Sequence, residues 1–113
     1  MERLSVLKTY KLYIGGAFPR TESGRYFVVE DAKQTGIANL CTASRKDFRN
    51  AVVAARKAQG AWADKTAYNR SQILYRIAEM AEGRMDQFVG ELKAIGLSPA
   101  KARAEVETAI DRI

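Results

Sequence analysis

Residues 11–32 read KLYIGGAFPRTESGRYFVVEDA. A glycine pair stands between two runs with strand character, and the use made of that pair decides what the segment can be. Tyr13, Ile14 and Phe18 are the apolar members of a first strand expected over residues 11–18. PRTESG carries Pro19, Ser23 and Gly24, a turn signal. RYFVVE follows, and its β-branched and aromatic residues suit a pleated surface. The two runs together predict a β-hairpin. Tyr26, Phe27, Val28 and Val29 are consecutive, so both faces of the second strand are apolar and call for cover on both sides. A dinucleotide-binding fingerprint needs G-x-G-x-x-G after a strand and at the opening of a helix. Here a second strand follows Gly15-Gly16, which favours a bulge or a close backbone approach over a phosphate cradle.

Working outward, residues 1–10 form a mixed leader. KQTG makes the next turn, and IANLCTA, residues 37–43, is a candidate third strand. Ser44 then opens a helix, with Asp47 three residues on completing a capping box in which Asp replaces the commoner Glu. Phe48, Ala51, Val52 and Ala55 recur at helical spacing as one face, and Gly60 is expected to end that helix just before Trp62. A second helix is expected from about Tyr68, with Ile73, Leu74, Ile77 and Met80 turned inward. Gly83 interrupts or bends it, and the pattern resumes with Phe88, Val89, Leu92 and Ile95. Gly96 fits the position after a helix end. Ser98-Pro99 starts the last helix, with Ser as cap and Pro in the first turn. Its stripe is Ala102, Val106, Ala109, Ile110 and Ile113. That stripe reaches the last residue with no capping signal, which predicts that the chain belongs to something longer.

Bulk properties bound the function. With 113 residues, one domain is the natural expectation, and 47% hydrophobic against 28% charged residues indicates a globular class. No stretch approaches the ~18 apolar residues of a membrane helix, and Met1–Leu7 is too short and mixed for a secretion signal. There is no histidine, which excludes a histidine base, a histidine metal site and every Ser-His-Asp or Cys-His arrangement. Cys41 is the only cysteine, so no internal disulfide or cysteine zinc cluster can form, in keeping with a cytoplasmic location. The net charge of +6 raises nucleic acid as a partner. The densest basic residues, Arg45, Lys46 and Arg49 with Arg56 and Lys57, fall opposite the apolar stripe of their helix and read as a solvated face. No aromatic strand resembling an RNA platform accompanies them.

The remaining chemical candidates also favour structural readings. Cys41 has Leu40 and Thr42 as neighbours and no base to activate it, so a small buried residue is the expectation. Glu30-Asp31 closes a strand end. Glu79 and Glu82 lie beside Arg76 and Arg84 as surface ion pairs. Tyr10, Tyr13, Tyr26, Tyr68 and Tyr75 fit core and rim positions better than a ligand cage.

Taken in order, these elements resemble the start of an aldehyde dehydrogenase. LYIGGAF, SGRYFVVEDA and TGIANLCTAS are similar to that family's entry region, in which Y-I-x-G-x-W/F leads through a turn to F-x-V-x-(N/D)-P and T-G. SRKDFRNAVVAARKAQGAWADKTAYNRSQILYRIAEMAEGR resembles the following pair of helices, in a version closest to bacterial members. GLSPAKARAEVETAID resembles the next helix. The resemblance covers about residues 10–113. Ala32 departs from the family's proline, and Leu97-Ser98 departs from its K-P after glycine.

The resemblance implies an α/β fold: an N-terminal hairpin over about 11–42, helices over about 44–113, and one segment, 1–113, that lacks the dinucleotide-binding core. It also implies that the catalytic cysteine, its glutamate base, the asparagine oxyanion donor and the oligomerisation strands lie beyond Ile113. Cys41 does not match the catalytic cysteine, so no catalytic, cofactor-binding or metal residue carries over. NAD or NADP is implied for the full-length family only. A monovalent cation held by backbone carbonyls in some members would touch Glu30 and Ala94, with its other contact in later sequence, so no metal is assigned. The expected function is an N-terminal fragment of an NAD(P)-dependent oxidoreductase that converts aldehyde to acid, inactive alone. The alternative is a non-catalytic module that docks onto a dehydrogenase subunit or a separately encoded remainder. Either way, the apolar faces are expected to self-associate or dock.

Overall fold

A computed structural model describes residues 3–4 and 6–113. Its first decisive feature is the glycine pair. Gly15 and Gly16 take φ of 62° and 79°. Two successive positive φ values are the mark of a type I′ turn, the two-residue reversal that joins tightly paired chains. Ile14 and Ala17 flank it and exchange both backbone hydrogen bonds, at 3.0 and 3.1 Å. The Leu12 amide adds a bond to the Pro19 carbonyl at 2.9 Å. Residues 12–19 thus fold back on themselves. The strand expected over 11–18 does not form, because the chain reverses at its middle and never lies alongside RYFVVE.

The sheet is built from other pieces. Thr9–Tyr10 is strand β1, Tyr26–Glu30 is β2 and Gly36–Cys41 is β3, in the order β1-β3-β2. The hairpin is therefore β2–β3, antiparallel, with Tyr26 opposite Cys41 and Val28 opposite Asn39. The candidate third strand is the centre of the sheet. β1 pairs parallel with β3, Thr9 opposite Asn39, inside the stretch expected as leader. The register shifts between Val29 and Glu30, leaving Ile37 as an extra residue on β3. The connection is an Asp31 turn. Its side-chain Oδ1 accepts from the Lys33 and Thr35 amides, each at 2.9 Å, and Gln34 takes a φ of 61°.

Four helices follow: α1 (Arg45–Ala63), α2 (Ala67–Gly83), α3 (Met85–Ala94) and α4 (Pro99–Asp111). α1 runs through Gly60, which was expected to end it. An interior glycine costs a helix only about 1 kcal/mol, and helix formers surround this one. Thr66 caps α2, its hydroxyl accepting from the Asn69 amide at 3.1 Å. Gly83 ends α2 and does not merely bend it. The end of α3 is a Schellman motif: the Gly96 amide reaches the Lys93 carbonyl and the Leu97 amide the Leu92 carbonyl, each at 3.1 Å. Gly96 supplies the positive φ, 110°. Ser98 caps α4 through the Lys101 amide, with Pro99 in the first turn.

The chain divides into two compact units, Met1–Gly60 and Ala61–Ile113. In the second, α4 packs on α3 and α2. Ala102 and Val106 are its buried residues, and they are the only buried apolar residues among those described. Ala109 and Ile113, expected in the same stripe, are exposed. On α2, Ile73, Leu74, Ile77 and Met80 were expected inward, yet all four are exposed. The partly covered residues on that helix include Ala78 and Ala81. In the first unit, Phe48 is 69% exposed, and Ala51 and Ala54 are the better covered apolar residues of α1. The apolar stripes are real, but much of their area meets nothing among the described residues.

Two glycines separate backbone freedom from close approach. A Cβ on Gly36 would lie 2.9 Å from Val28 Cγ1 and 3.3 Å from Leu7 Cδ1, whereas one on Gly60 would meet nothing within 4 Å. Gly36→Ala is expected to destabilise the chain by about 1–3 kcal/mol through overpacking. Gly60→Ala is expected to stabilise it by about 0.5–1 kcal/mol. Urea denaturation of the two variants checks both signs.

Candidate functional site

The best-built polar cluster lies where α1 begins. Ser44 and Asp47 form the capping box: the Asp47 amide donates to Ser44 Oγ at 3.1 Å, and the Ser44 amide donates to Asp47 Oδ2 at 2.9 Å. The carboxylate also accepts from the Thr21 hydroxyl and, at 3.2 Å, from the Glu22 amide. Thr21 and Asp47 are the two buried polar residues among those described. The cluster therefore ties the PRTESG loop to the helix start. Ser44 Oγ bonds Glu22 at 3.3 Å, and Lys46 Nζ lies 3.9 Å from the same carboxylate.

These donors hold the Asp47 carboxyl at a pKa of about 2, below its ordinary 3.8. The Ser44 amide is the main cause and the Thr21 hydroxyl the next, against a smaller opposing effect of burial. A depressed folded-state pKa contributes stability that is complete above the ordinary value and is lost as pH falls through the folded one. The chemistry of this cluster is structural. Its carboxylate is an acceptor consumed by the fold, and the hydroxyls beside it, Thr21 and Ser44, are spent on the same bonds.

The other sequence candidates are dispersed. Gly15-Gly16 forms its turn with no helix opening after it, so its amides do not make a dinucleotide cradle. A Cβ on Gly15 would stand 3.8 Å from Ala54 Cβ, an ordinary contact. The pair is thus required for its positive φ and not for close approach. An open groove of about 750 Å³ lies between this turn and α1, with Tyr13, Asn50 and Lys57 on its lining. Glu30 ends β2, and Asp31 is spent on its turn. Arg76 and Glu79 pair on the α2 surface at 3.2 Å. Tyr13 packs on Phe18 with centroids 5.0 Å apart, and Lys8 Nζ lies 4.5 Å over the Tyr10 ring. Tyr68 and Tyr75 are exposed on α2. Among the described residues no group of three or more His, Cys, Asp or Glu is placed to hold a metal, and no helix is long and apolar enough to cross a membrane.

Cys41 is a free, half-buried thiol at the end of β3. It lines a cavity of about 270 Å³ with Arg20, Arg25, Tyr26, Asn39 and Thr9. Sequence reasoning missed this grouping. Arg20 and Arg25 flank a loop, Thr9 lay in the supposed leader, and only the β1–β3 pairing brings them to one place.

The fold has known counterparts. A model described as the aldehyde dehydrogenase family matches residues 18–113. Among solved structures, the chain is similar to an NAD-dependent benzaldehyde dehydrogenase from Corynebacterium glutamicum, at 34% identity and TM-score 0.84, covering 89% of this chain and 23% of that one. It is similar in fold to lactaldehyde dehydrogenase from Escherichia coli, at 24% identity and TM-score 0.88, covering 94% and 23%. A 3,6-anhydro-L-galactose dehydrogenase in complex with NAP matches at 24% identity and TM-score 0.88, covering 92% and 22%. The chain spans between a fifth and a quarter of the length of these proteins.

Two variants test the Asp47 cluster. Ser44→Ala is expected to cost about 1 kcal/mol in urea denaturation, as for a lost helix cap. Asp47→Asn is expected to be less stable than the parent at neutral pH. The gap should narrow between about pH 4 and about pH 2, where the parent carboxylate protonates. A gap that does not change over that window would show that the charge of Asp47 plays no part.

Proposed function

The chain belongs to the aldehyde dehydrogenase family, and from that premise we propose that it is a scaffold segment of an NAD(P)-dependent oxidation of aldehyde to carboxylic acid, catalytically silent by itself. The observation that carries this reading is the set of open apolar faces. Tyr26, Phe27 and Val28 stand exposed along the edge strand β2. Phe48 on α1 and Ile73, Leu74 and Ile77 on α2 are exposed as well. Exposed apolar stretches of this kind mark faces that pack on other protein.

The reaction of such an enzyme requires a thiolate nucleophile, a base for water and a nicotinamide to take the hydride. This chain offers one thiol, Cys41, with no histidine or carboxylate beside it on its cavity lining. The glycine turn does not fit a pyrophosphate. No step of the oxidation is therefore assigned to these residues. Their part is to present the β2 edge and the α1 and α2 stripes to the body of a dehydrogenase.

A second reading uses the same faces: the chain acts as a non-catalytic module that docks onto a dehydrogenase subunit or a separately encoded remainder. Co-expression with such a remainder supports it if the two purify as a stoichiometric complex.

Purified chain, given an aldehyde and NAD or NADP, is expected to yield no reduced nicotinamide above a Cys41→Ser control. Aldehyde-dependent turnover that the control lacks would sink the silent-scaffold reading. The chain is also expected to associate in sedimentation experiments and to unfold over a broad transition. A clean monomer with a sharp, reversible transition would count against the open faces as docking surfaces.

A further inference from the structure

We propose that the cavity bordered by Arg20, Arg25 and Cys41 is a binding site for a small phosphate-bearing anion. The inference does not depend on the dehydrogenase reading. The cavity holds about 270 Å³ at the end of the sheet where β2 starts and β3 stops. That is the share of roughly nine liquid waters at about 30 Å³ each, room for an oxyanion and a small esterified group.

Its lining is one-sided in charge. Arg20 and Arg25 are among its lining residues, and no Asp or Glu is. Neither arginine forms an ion pair among the described residues. The carboxylates bonded to the neighbouring loop are already engaged. Asp47 is held by Thr21, Ser44 and the Glu22 amide, and Glu22 by Ser44 and Lys46. Two guanidinium forks without a carboxylate partner are suited to phosphate oxygens. Thr9 and Tyr26 add hydroxyl donors. Thr9 Oγ1 accepts from Asn39 Nδ2 at 3.4 Å, which leaves its own proton for a ligand. These residues come from β1, β2, β3 and the loop before β2.

The frame is held by the fold. The Gly24 amide bonds the Thr21 carbonyl at 3.1 Å, and the Thr42 amide bonds the Arg25 carbonyl at 3.0 Å. Thr21 is fixed by Asp47. The arginines thus flank a turn anchored to the α1 cap.

The test is a titration of the whole chain with inorganic phosphate at constant ionic strength, followed by amide NMR. Saturable shifts at Gly24, Tyr26 and Cys41 are expected. Arg25→Ala should weaken binding about tenfold, as for one lost charged hydrogen-bonding group. Lys101→Ala, which removes the same charge from α4, should leave binding unchanged. The Ser44 and Asp47 amides report in the same spectra that the variants remain folded. Ribose 5-phosphate in a parallel titration distinguishes the sources: tighter binding identifies an esterified phosphate, equal or weaker binding a free one. If association broadens the spectra, alkylation of Cys41 by neutral iodoacetamide decides instead. Phosphate should slow it in the parent chain and not in Arg20→Ala. Absence of saturable shifts or protection overturns the site, and so does equal weakening in Arg25→Ala and Lys101→Ala.

Discussion

The Asp47 carboxylate is the interaction on which the first half of the chain depends. One side chain completes the N-terminal cap of α1 and fastens the loop that leads into β2. The choice of Asp over the commoner Glu is informative. Its shorter arm holds the carboxylate against the first turn, where the helix dipole favours negative charge. The loop then comes to it: Thr21 and the Glu22 amide supply the donors that a longer side chain would have taken from elsewhere. Burial of that carboxylate is tolerable because every contact named is a donor. The direction of its pKa records the same balance.

Beyond that anchor, the packing has an unusual distribution of sizes. The best covered helix residues include Ala51, Ala54, Ala78, Ala81 and Ala102, while Phe48, Tyr75, Ile77 and Met80 stand outward. A self-sufficient core ordinarily places its large apolar side chains inside. Small residues on the inner faces remove little apolar area from water. The large residues hold most of the potential stabilisation, and it is unrealised within the described residues. The scaffold role proposed above would supply the cover that these side chains lack.

Three local signals were legible in the sequence. Ser44 with Asp47, Ser98-Pro99 and Gly96 each act through bonds spanning a few residues, and each stands where spacing placed it. The central hairpin was misread because strand propensity was given more weight than turn chemistry. Gly15-Gly16 reverses the chain inside an apolar run, so that run pairs with itself, and RYFVVE is left to pair with IANLCT. The parallel β1–β3 ladder joins residues 30 apart and left no mark on the composition of Thr9–Tyr10. Periodicity found the apolar stripe of α2 correctly. It could not tell that the stripe would remain uncovered, because a pattern identifies a face that seeks cover and says nothing of where the cover is.

The candidate sites divide along the same line. Catalysis needs a nucleophile, a base and a stabilising donor within a few ångströms, and a chain without histidine has few ways to assemble them. Cys41 was read as inert because its sequence neighbours carry no base. Its cavity lining holds two arginines that sequence could not place there. Cation without base is an arrangement for holding an anion and not for activating one. The residues that do the holding sit on either side of Thr21, whose hydroxyl is committed to Asp47. The cap that fixes α1 therefore also anchors the loop that carries the arginine pair, through Thr21 and Glu22.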